Sequence, residues 1–149
     1  MKESFSIEVK RPVQETFDSL TDLERFASLS EGKLAVAAVP DRPRRGKGSA
    51  LLLTAQVPGQ AEAGILCETL EWEPPSVCTR RFAIKDLPTT ACMRFAPCPA
   101  GTRVTVDLEL DPQSMLYKLM LPALALKLRG DKEKLDAQLQ QQLDAQPPS

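Results

Sequence analysis

The alternation of apolar and polar residues near the start of the chain predicts a strand followed by a helix. Residues 5–9 have the two-residue period of a half-buried strand. Pro12 suits the first turn of a helix because its φ is already fixed near a helical value. Val13, Phe17 and Leu20 then recur at helical spacing, which indicates a first short helix with one apolar side.

A second short helix and six more strands are predicted next. Thr21 and Glu24 have the spacing of a capping box, which marks a helix start, and Glu31-Gly32 suits its end. Segments rich in proline and glycine then separate runs of strand-forming residues. The predicted strands cover residues 34–39, 51–57, 62–72, 76–85, 90–96 and 102–110.

Strand register predicts one apolar face for the last hairpin. If Phe95 lies opposite Val104, the apolar residues of both strands share a face and most of the charged ones share the other.

The preceding hairpin is less constrained. A loop at 73–76 would place Arg80 and Thr69 on the apolar face and would pair Glu68 with Arg81 on the other face. A shift of one residue would leave Arg80 at the surface instead, so both registers stay open.

The last quarter of the chain predicts one long helix, from Ser114 to about Ala145, interrupted by Pro122 and Gly130. Residues 115–126 are too apolar for a surface helix and too few to span a bilayer. We therefore expect this helix to lie across the sheet, with a space between them. The break at Pro122 either follows the curvature of the sheet or acts as a hinge that admits a ligand.

The candidate ligand contacts combine apolar side chains with a few polar groups. A buried Arg80 would need a carboxylate, a carbonyl or an anionic ligand group, and Thr69 and Tyr117 could add hydrogen bonds. The predicted ligand-binding residues are Arg80, Thr69, Phe82, Met93, Phe95, Met115, Tyr117, Leu119 and Met120. The apolar members could equally fill a solid core, since methionine adapts to either setting.

Composition points to one domain over residues 1–149, with a frayed tail at 146–149. Of the 149 residues, 42% are hydrophobic and 26% charged, and 19 basic side chains stand against 20 acidic ones. This balance argues against nucleic acid as a partner. The start of the chain has no apolar stretch of signal-peptide length, so we expect a cytoplasmic protein without stable membrane insertion.

The chain contains no histidine, which excludes Ser-His and Cys-His nucleophile pairs and histidine metal ligands. The four cysteines include no C-x-x-C pair, so we expect no metal and no cofactor. Reduced cysteines are expected, although a disulfide between Cys67 and Cys78 stays open because both could lie in one hairpin. No catalytic residue can be assigned.

Two charged or apolar segments have alternative interpretations. The basic loop formed by Arg42, Arg44, Arg45 and Lys47 is either a solvated tip or a weak contact with a membrane surface. An apolar stripe in the final helix either packs on the sheet or docks a partner protein. The stripe consists of Leu135, Leu139 and Leu143. The chain is expected to be a monomer or a dimer.

Several motifs in this order resemble the START-like (SRPBCC, Bet v 1-type) superfamily, and most closely its bacterial polyketide cyclase/dehydrase-like branch. They are Ser6–Val9 with Arg11–Phe17, Leu20–Asp22, Glu68–Pro75, Gly101–Val106 and the Pro-interrupted final helix. The resemblance implies an α+β helix-grip fold, in which a bent antiparallel sheet of about seven strands surrounds a long kinked C-terminal helix, with two short helices after strand 1.

Members of this superfamily enclose lipids, sterols, polyketides or other hydrophobic molecules, and only some transform them. The first hypothesis is therefore a module that binds a small hydrophobic ligand without chemistry. The second hypothesis is an enzyme, a polyketide cyclase, aromatase or dehydratase, in which Arg80 polarises a carbonyl and Tyr117 donates a proton. The third hypothesis is a protein-interaction module.

Overall fold

Seven strands and three helices make up the part of the chain that is described. The computed structural model describes residues 1–55 and 63–130; for Ala63 and residues 124–130 it describes the backbone only. The elements are β1 (Lys2–Val9), α1 (Val13–Thr21), α2 (Leu23–Leu29), β2 (Leu34–Ala38), β3 (Ala50–Ala55), β4 (Ala63–Glu73), β5 (Val77–Ala83), β6 (Thr89–Cys98), β7 (Gly101–Leu110) and α3 (Met115–Gly130).

The strands form one antiparallel sheet in the order β1-β7-β6-β5-β4-β3-β2. From β2 to β7, each strand pairs with the next one along the chain, and β1 pairs with β7 at the edge of the sheet opposite β2. The two short helices therefore connect the edge strands β1 and β2, and the sheet bends around them. The predicted α+β class, the seven strands and the two short helices after the first strand are confirmed.

The register predicted for the last hairpin is confirmed, and of the two left open for the preceding hairpin, the one that pairs Glu68 with Arg81 is correct as far as Thr69. Phe95 pairs with Val104 across β6 and β7, so the apolar residues of these strands share one face. Across β4 and β5, Glu68 pairs with Arg81, and their side chains form an ion pair of 3.0 Å. The pairing shifts between Thr69 and Glu71, which marks a β-bulge in β4.

The main core lies where α1 packs against the concave face of the sheet. Phe17 is completely buried, and its ring makes edge contacts with Trp72 and Phe95, with 5.0 Å between ring centroids in each pair. Such edge-to-face geometry is the favourable arrangement of aromatic rings. Val9 and Val104 complete the buried centre of this cluster.

The predicted capping box at the start of the second helix is wrong. Asp22, not Thr21, is the N-cap of α2, and its carboxylate accepts a hydrogen bond from the backbone N–H of Arg25 at 3.1 Å. Thr21 belongs to α1, where its hydroxyl donates to the carbonyl of Phe17 at 2.7 Å. Since both Asp and Thr serve as N-caps, the sequence pattern alone did not distinguish the two positions.

The described part of the final helix is more exposed than its sequence predicts. Leu121 is buried at 5% exposure and Tyr117 is half-buried, but Met115 and Leu119 are 71% and 72% exposed and Met120 is exposed as well. A helix turns by about 100° per residue, so one that is apolar on all sides can place only one stripe against a sheet. The expectation that the whole apolar segment is covered is therefore wrong for these side chains.

Three sequence predictions fall outside the described residues. These are the turn at Pro58-Gly59, the helix beyond Gly130 with Leu135, Leu139 and Leu143, and the tail at 146–149. Pro122 lies inside α3 as predicted. Among the described residues, no helix is long and apolar enough to cross a bilayer.

Candidate functional site

The concave face of the sheet carries apolar side chains that the described helices leave partly accessible. Phe95 of β6 is buried, but Met93 on the same strand is only half-buried, as are Phe82 of β5 and Val106 and Leu108 of β7. Residues at the centre of a seven-stranded sheet would be fully buried if other side chains filled the space above them. The described residues therefore leave the apolar side chains of the concave face incompletely covered.

The residues predicted on the final helix do not meet those of the sheet in a common cluster. The hydroxyl of Tyr117 has no hydrogen-bond partner among the described residues, and Met115, Leu119 and Met120 are exposed. On the sheet, the structure brings together Arg80 with Thr69 and Met93 with Phe95. The ligand contacts of the four helix residues stay a prediction. That the sheet residues contact a ligand is also a prediction.

Arg80 is buried at 7% exposure, so the inward-facing register is correct and the surface alternative is wrong. Its Nη2 donates to the carbonyl oxygen of Thr21 at 2.7 Å, and its Nε donates to the hydroxyl oxygen of Thr69 at 3.3 Å. The same hydroxyl of Thr69 accepts a hydrogen bond from Ser49 at 2.8 Å. Ser49 and Thr69 are buried too.

Strand pairing explains this position. Thr69 and Arg80 are direct partners across β4 and β5, so both side chains leave the sheet on the concave face. Arg80 is long enough to reach the last residue of α1, Thr21, whose carbonyl has no partner within the helix. A cation at a helix C-terminus also interacts favourably with the helix dipole.

The guanidinium of Arg80 is not neutralised by any described carboxylate, since none lies within 4.0 Å of it. An arginine offers five N–H donors, and two of those of Arg80 have acceptors among the described residues. A buried charge without an ionic partner is costly in free energy. This side chain is therefore the strongest chemical feature of the concave face.

Arg80 lines a pocket of about 330 Å³ at the corner between α1 and α2. We call it the corner pocket. It is lined by three residues of the sheet, Leu51, Trp72 and Arg80, which we call its floor, by residue 18 and residues 21–25 of the helical corner, and by Arg44 and Arg45 of the β2–β3 loop, which we call its rim. The sequence analysis missed this pocket because it placed the ligand space beneath the final helix. The signal that was present is the run of arginines in the β2–β3 loop.

The basic loop is folded back on the protein. Arg44 pairs with Glu24 at 3.0 Å and Arg45 with Asp22 at 3.1 Å, which fastens the loop to α2. Arg42 donates to the carbonyl of Gly48 at 2.9 Å.

A second carboxylate holds the base of this loop. Arg42 pairs with Glu68 at 3.2 Å, and Glu68 also binds Arg81. Hydrogen bonds from Arg81 and Arg42 hold the pKa of Glu68 below its usual value. Lys47 is exposed. A weak membrane contact by this loop stays a prediction.

The two buried cysteines, Cys67 and Cys78, are not activated nucleophiles. Burial raises the pKa of the Cys67 thiol to about 11, against the opposing influence of the Arg80 charge, and burial also raises the pKa of Cys78. A thiol with a raised pKa is protonated near neutral pH and reacts slowly.

The alternative of a Cys67–Cys78 disulfide is wrong, since all four cysteines are free. Cys67 pairs with Phe82 and not with Cys78, which lies several positions away along β5. A disulfide requires closer Cα atoms than such a register allows.

Comparison with known proteins supports the same fold. SA2116 from Staphylococcus aureus, a protein of unknown function, superposes with a TM-score of 0.72 at 10% identity over 97% of this chain and 93% of that one. Ara h 8.0201 superposes with a TM-score of 0.67 at 12% identity, over 92% of this chain and 95% of that one. TTHA0849 from Thermus thermophilus superposes with a TM-score of 0.63 at 18% identity, over 97% of this chain and 94% of that one. At such identities the likeness shows the fold alone, and the predicted helix-grip fold is confirmed.

The sequence itself supplies the family. No curated protein matches the chain. One family model does, that of polyketide cyclase / dehydrase and lipid transport, and the match covers residues 2–144. The resemblance to the START-like superfamily and its polyketide cyclase-like branch is confirmed. Because the match covers nearly the whole of the 149 residues, the chain belongs to the polyketide cyclase/dehydrase and lipid-transport family.

Proposed function

We propose that this protein binds a small hydrophobic ligand, lipid-like or polyketide-like, on the concave face of its sheet. The observation that carries the proposal is the partial exposure of Phe82, Met93, Val106 and Leu108 on β5, β6 and β7. Apolar side chains left open to water in this way gain free energy when an apolar molecule covers them. The family description, which includes lipid transport, supports the same class of ligand.

The ligand is proposed to be held without being transformed. The chain contains no histidine, and the two buried thiols are protonated near neutral pH. Arg80 donates hydrogen bonds to neutral oxygens and can orient a polar group of the ligand. Binding and orientation need only these contacts, whereas general acid–base catalysis is most efficient with a group whose pKa lies near the working pH.

The proposed contacts come from two sides. Phe82, Met93 and Phe95 belong to the sheet, with Arg80 and Thr69 at the polar end. Met115, Tyr117, Leu119 and Met120 belong to α3. Because Met115 and Leu119 lie roughly opposite Tyr117 and Leu121 around the helix, we propose that α3 turns or shifts when ligand enters, with Pro122 as the hinge.

A pair of adjacent substitutions tests the proposal. Met93→Gln puts an amide of similar size on the concave face, and Arg94→Gln makes a matched change on the exposed convex face. We expect Met93→Gln to weaken binding of a neutral long-chain alcohol about tenfold, because covering an amide without a hydrogen bond costs about 1–2 kcal/mol. Isothermal titration calorimetry of the delipidated protein measures this effect.

Arg94→Gln is the control for Met93→Gln, and the two variants together can contradict the proposed binding site. Arg94→Gln should bind the alcohol as the wild type does, since its side chain faces away from the concave surface. Equal affinities for the wild type and both variants, with circular dichroism showing that all three are folded, would contradict a ligand on the concave face.

A second candidate function is a cyclase or dehydratase acting on a polyketide-like substrate. It is supported by the buried Arg80, whose unpaired N–H groups could polarise a carbonyl or stabilise an enolate. Tyr117 would have to approach Arg80 for it to donate a proton in the same reaction. If Arg80→Met left turnover of an identified substrate unchanged, this function would be excluded.

We propose a reducing compartment, such as the cytoplasm, as the place of action. The proposal is supported by four cysteines that are all free. Free thiols persist where the redox environment keeps them reduced. Whether the protein acts as a monomer or a dimer, and whether the basic loop touches a membrane, are separate predictions.

A further inference from the structure

We propose that the corner pocket is a binding site for an oxyanion, the carboxylate or phosphate of a small molecule, and that Arg80 is the residue that anchors it. This inference goes beyond the proposed function. It concerns a polar pocket beside the helices and holds whether or not the concave face binds an apolar ligand.

The first argument is the unused hydrogen-bonding capacity of Arg80. Two of its five N–H groups have acceptors, the carbonyl of Thr21 and the hydroxyl of Thr69, and both acceptors are neutral. The side chain is buried and also lines the corner pocket. An oxyanion entering the pocket would supply the ionic partner that the described protein residues do not.

The second argument is the balance of charge around the pocket. Four arginines line it, Arg25, Arg44, Arg45 and Arg80, against three carboxylates, which leaves one positive charge in excess.

Those three carboxylates are already engaged. Asp22 binds Arg45 at 3.1 Å and caps α2, and Glu24 binds Arg44 at 3.0 Å. Asp18 accepts a hydrogen bond from Gln14 at 2.9 Å. None of these acids lies within 4.0 Å of Arg80, whereas Arg25, Arg44 and Arg45 each have one of them as an ionic partner. Among the described residues, Arg80 is therefore the arginine of the pocket that lacks a carboxylate partner.

The third argument is size and shape. A volume of about 330 Å³ is at the small end of the range for ligand pockets, so it suits a small organic anion. Leu51 and Trp72 flank Arg80 on the floor and offer an apolar surface to the rest of the molecule. A carboxylate or phosphate joined to a flat or short apolar group would match both features.

The loop at the rim can adjust to such a ligand. Arg44 and Arg45 have exposed side chains, and ion pairs of this kind contribute only about 0–1 kcal/mol each. Either arginine can therefore exchange its carboxylate partner for an oxygen of the ligand at little cost. The loop would then bind the ligand from above while Arg80 binds it from below.

Trp72 provides the measurement, because it is the only tryptophan of the chain and it lines the pocket. Its fluorescence is titrated with inorganic phosphate, phenyl phosphate, benzoate and uncharged benzyl alcohol. We expect saturable changes with the organic anions and none with benzyl alcohol at equal concentration. Phosphate alone should bind more weakly than phenyl phosphate if the apolar floor contributes.

Two variants assign the effect to one residue. Arg80→Met keeps an unbranched apolar stem but removes the guanidinium group and its charge, and it should weaken binding of phenyl phosphate and benzoate at least tenfold. Arg81→Met is the matched control, since Arg81 points to the convex face, where it pairs with Glu68, and it should leave the affinity unchanged.

Two results would overturn the proposal. One is the absence of any saturable change with phosphate, phenyl phosphate or benzoate up to about 10 mM in the wild type, a test that needs no variant. The other is an affinity in Arg80→Met equal to that of the wild type. If Arg80→Met does not fold, Arg80→Gln replaces it, since Gln also lacks the charge, and an affinity equal to that of the wild type in that variant likewise overturns the proposal. The long-chain alcohol, measured beside these anions, tests the concave face separately.

Discussion

Arg80 shows how one residue combines a structural and a functional role. Its contact with the carbonyl of Thr21 fastens α1 to the sheet, and its contact with Thr69 fixes the guanidinium in place. Since both partners are neutral, the charge itself stays available. The charge stabilises the C-terminus of α1 whether or not an anion binds, so the charge-removing variant must be judged by its affinity for anions and not by its stability.

Cys67 gives a prediction at the residue scale. Its pKa is about 11 in the folded protein and 9.0 for the ordinary thiol, so the unfolded chain loses this proton first as the pH rises. Stability from this group is complete below pH 9 and is lost as the pH rises towards 11. At pH 10 the loss is about 1.4 kcal/mol.

Urea unfolding at pH 7.5 and pH 10 measures this difference in the wild type and in two variants. Cys67→Val should show a smaller decline between the two pH values than the wild type, because it lacks the titrating group. Cys98→Val, at a half-buried site in the last hairpin, should decline as the wild type does. An identical decline in all three proteins would contradict the role assigned to burial.

At the scale of elements, the sheet was the easiest part to derive from the sequence. The alternation in β6 and β7 gave the pairing of Phe95 with Val104, because a shift of one residue would have turned every apolar side chain outward. The final helix was harder. Its sequence is apolar on all sides and so does not indicate which stripe, here Tyr117 and Leu121, faces the protein.

The turn between β6 and β7 gives a prediction at the element scale. Gly101 has φ of +142°, and a Cβ atom there would lie 2.4 Å from the carbonyl oxygen of Val9 and 2.8 Å from the nitrogen of Arg11. Both neighbours are backbone atoms and cannot rotate away. We expect Gly101→Ala to lower the free energy of unfolding by about 2–4 kcal/mol.

Gly48 is the matched control for this change. Its φ is +81°, but a Cβ atom there would meet nothing within 4 Å. Gly48→Ala should therefore cost only the backbone strain, about 1 kcal/mol. Thermal and urea unfolding measure the stability of both variants. A Gly101→Ala variant as stable as Gly48→Ala would contradict this account.

At the scale of the whole molecule, the fold followed from the order of the elements, but the corner pocket did not. It forms where the α1–α2 corner, the β2–β3 loop and the floor residues Leu51, Trp72 and Arg80 come together. These segments are far apart in the sequence, and their contacts depend on the bend of the sheet. The loop arginines were noted as a basic segment, but only the folded chain shows that they pair with Asp22 and Glu24.

The central claim is that the concave face of the sheet holds a small apolar molecule. Native mass spectrometry of the purified protein tests it most directly, before and after incubation with a series of long-chain alcohols. We predict a bound species of one apolar molecule per chain, either carried through purification or taken up from the series. A protein that shows only its own mass under both conditions would contradict the account.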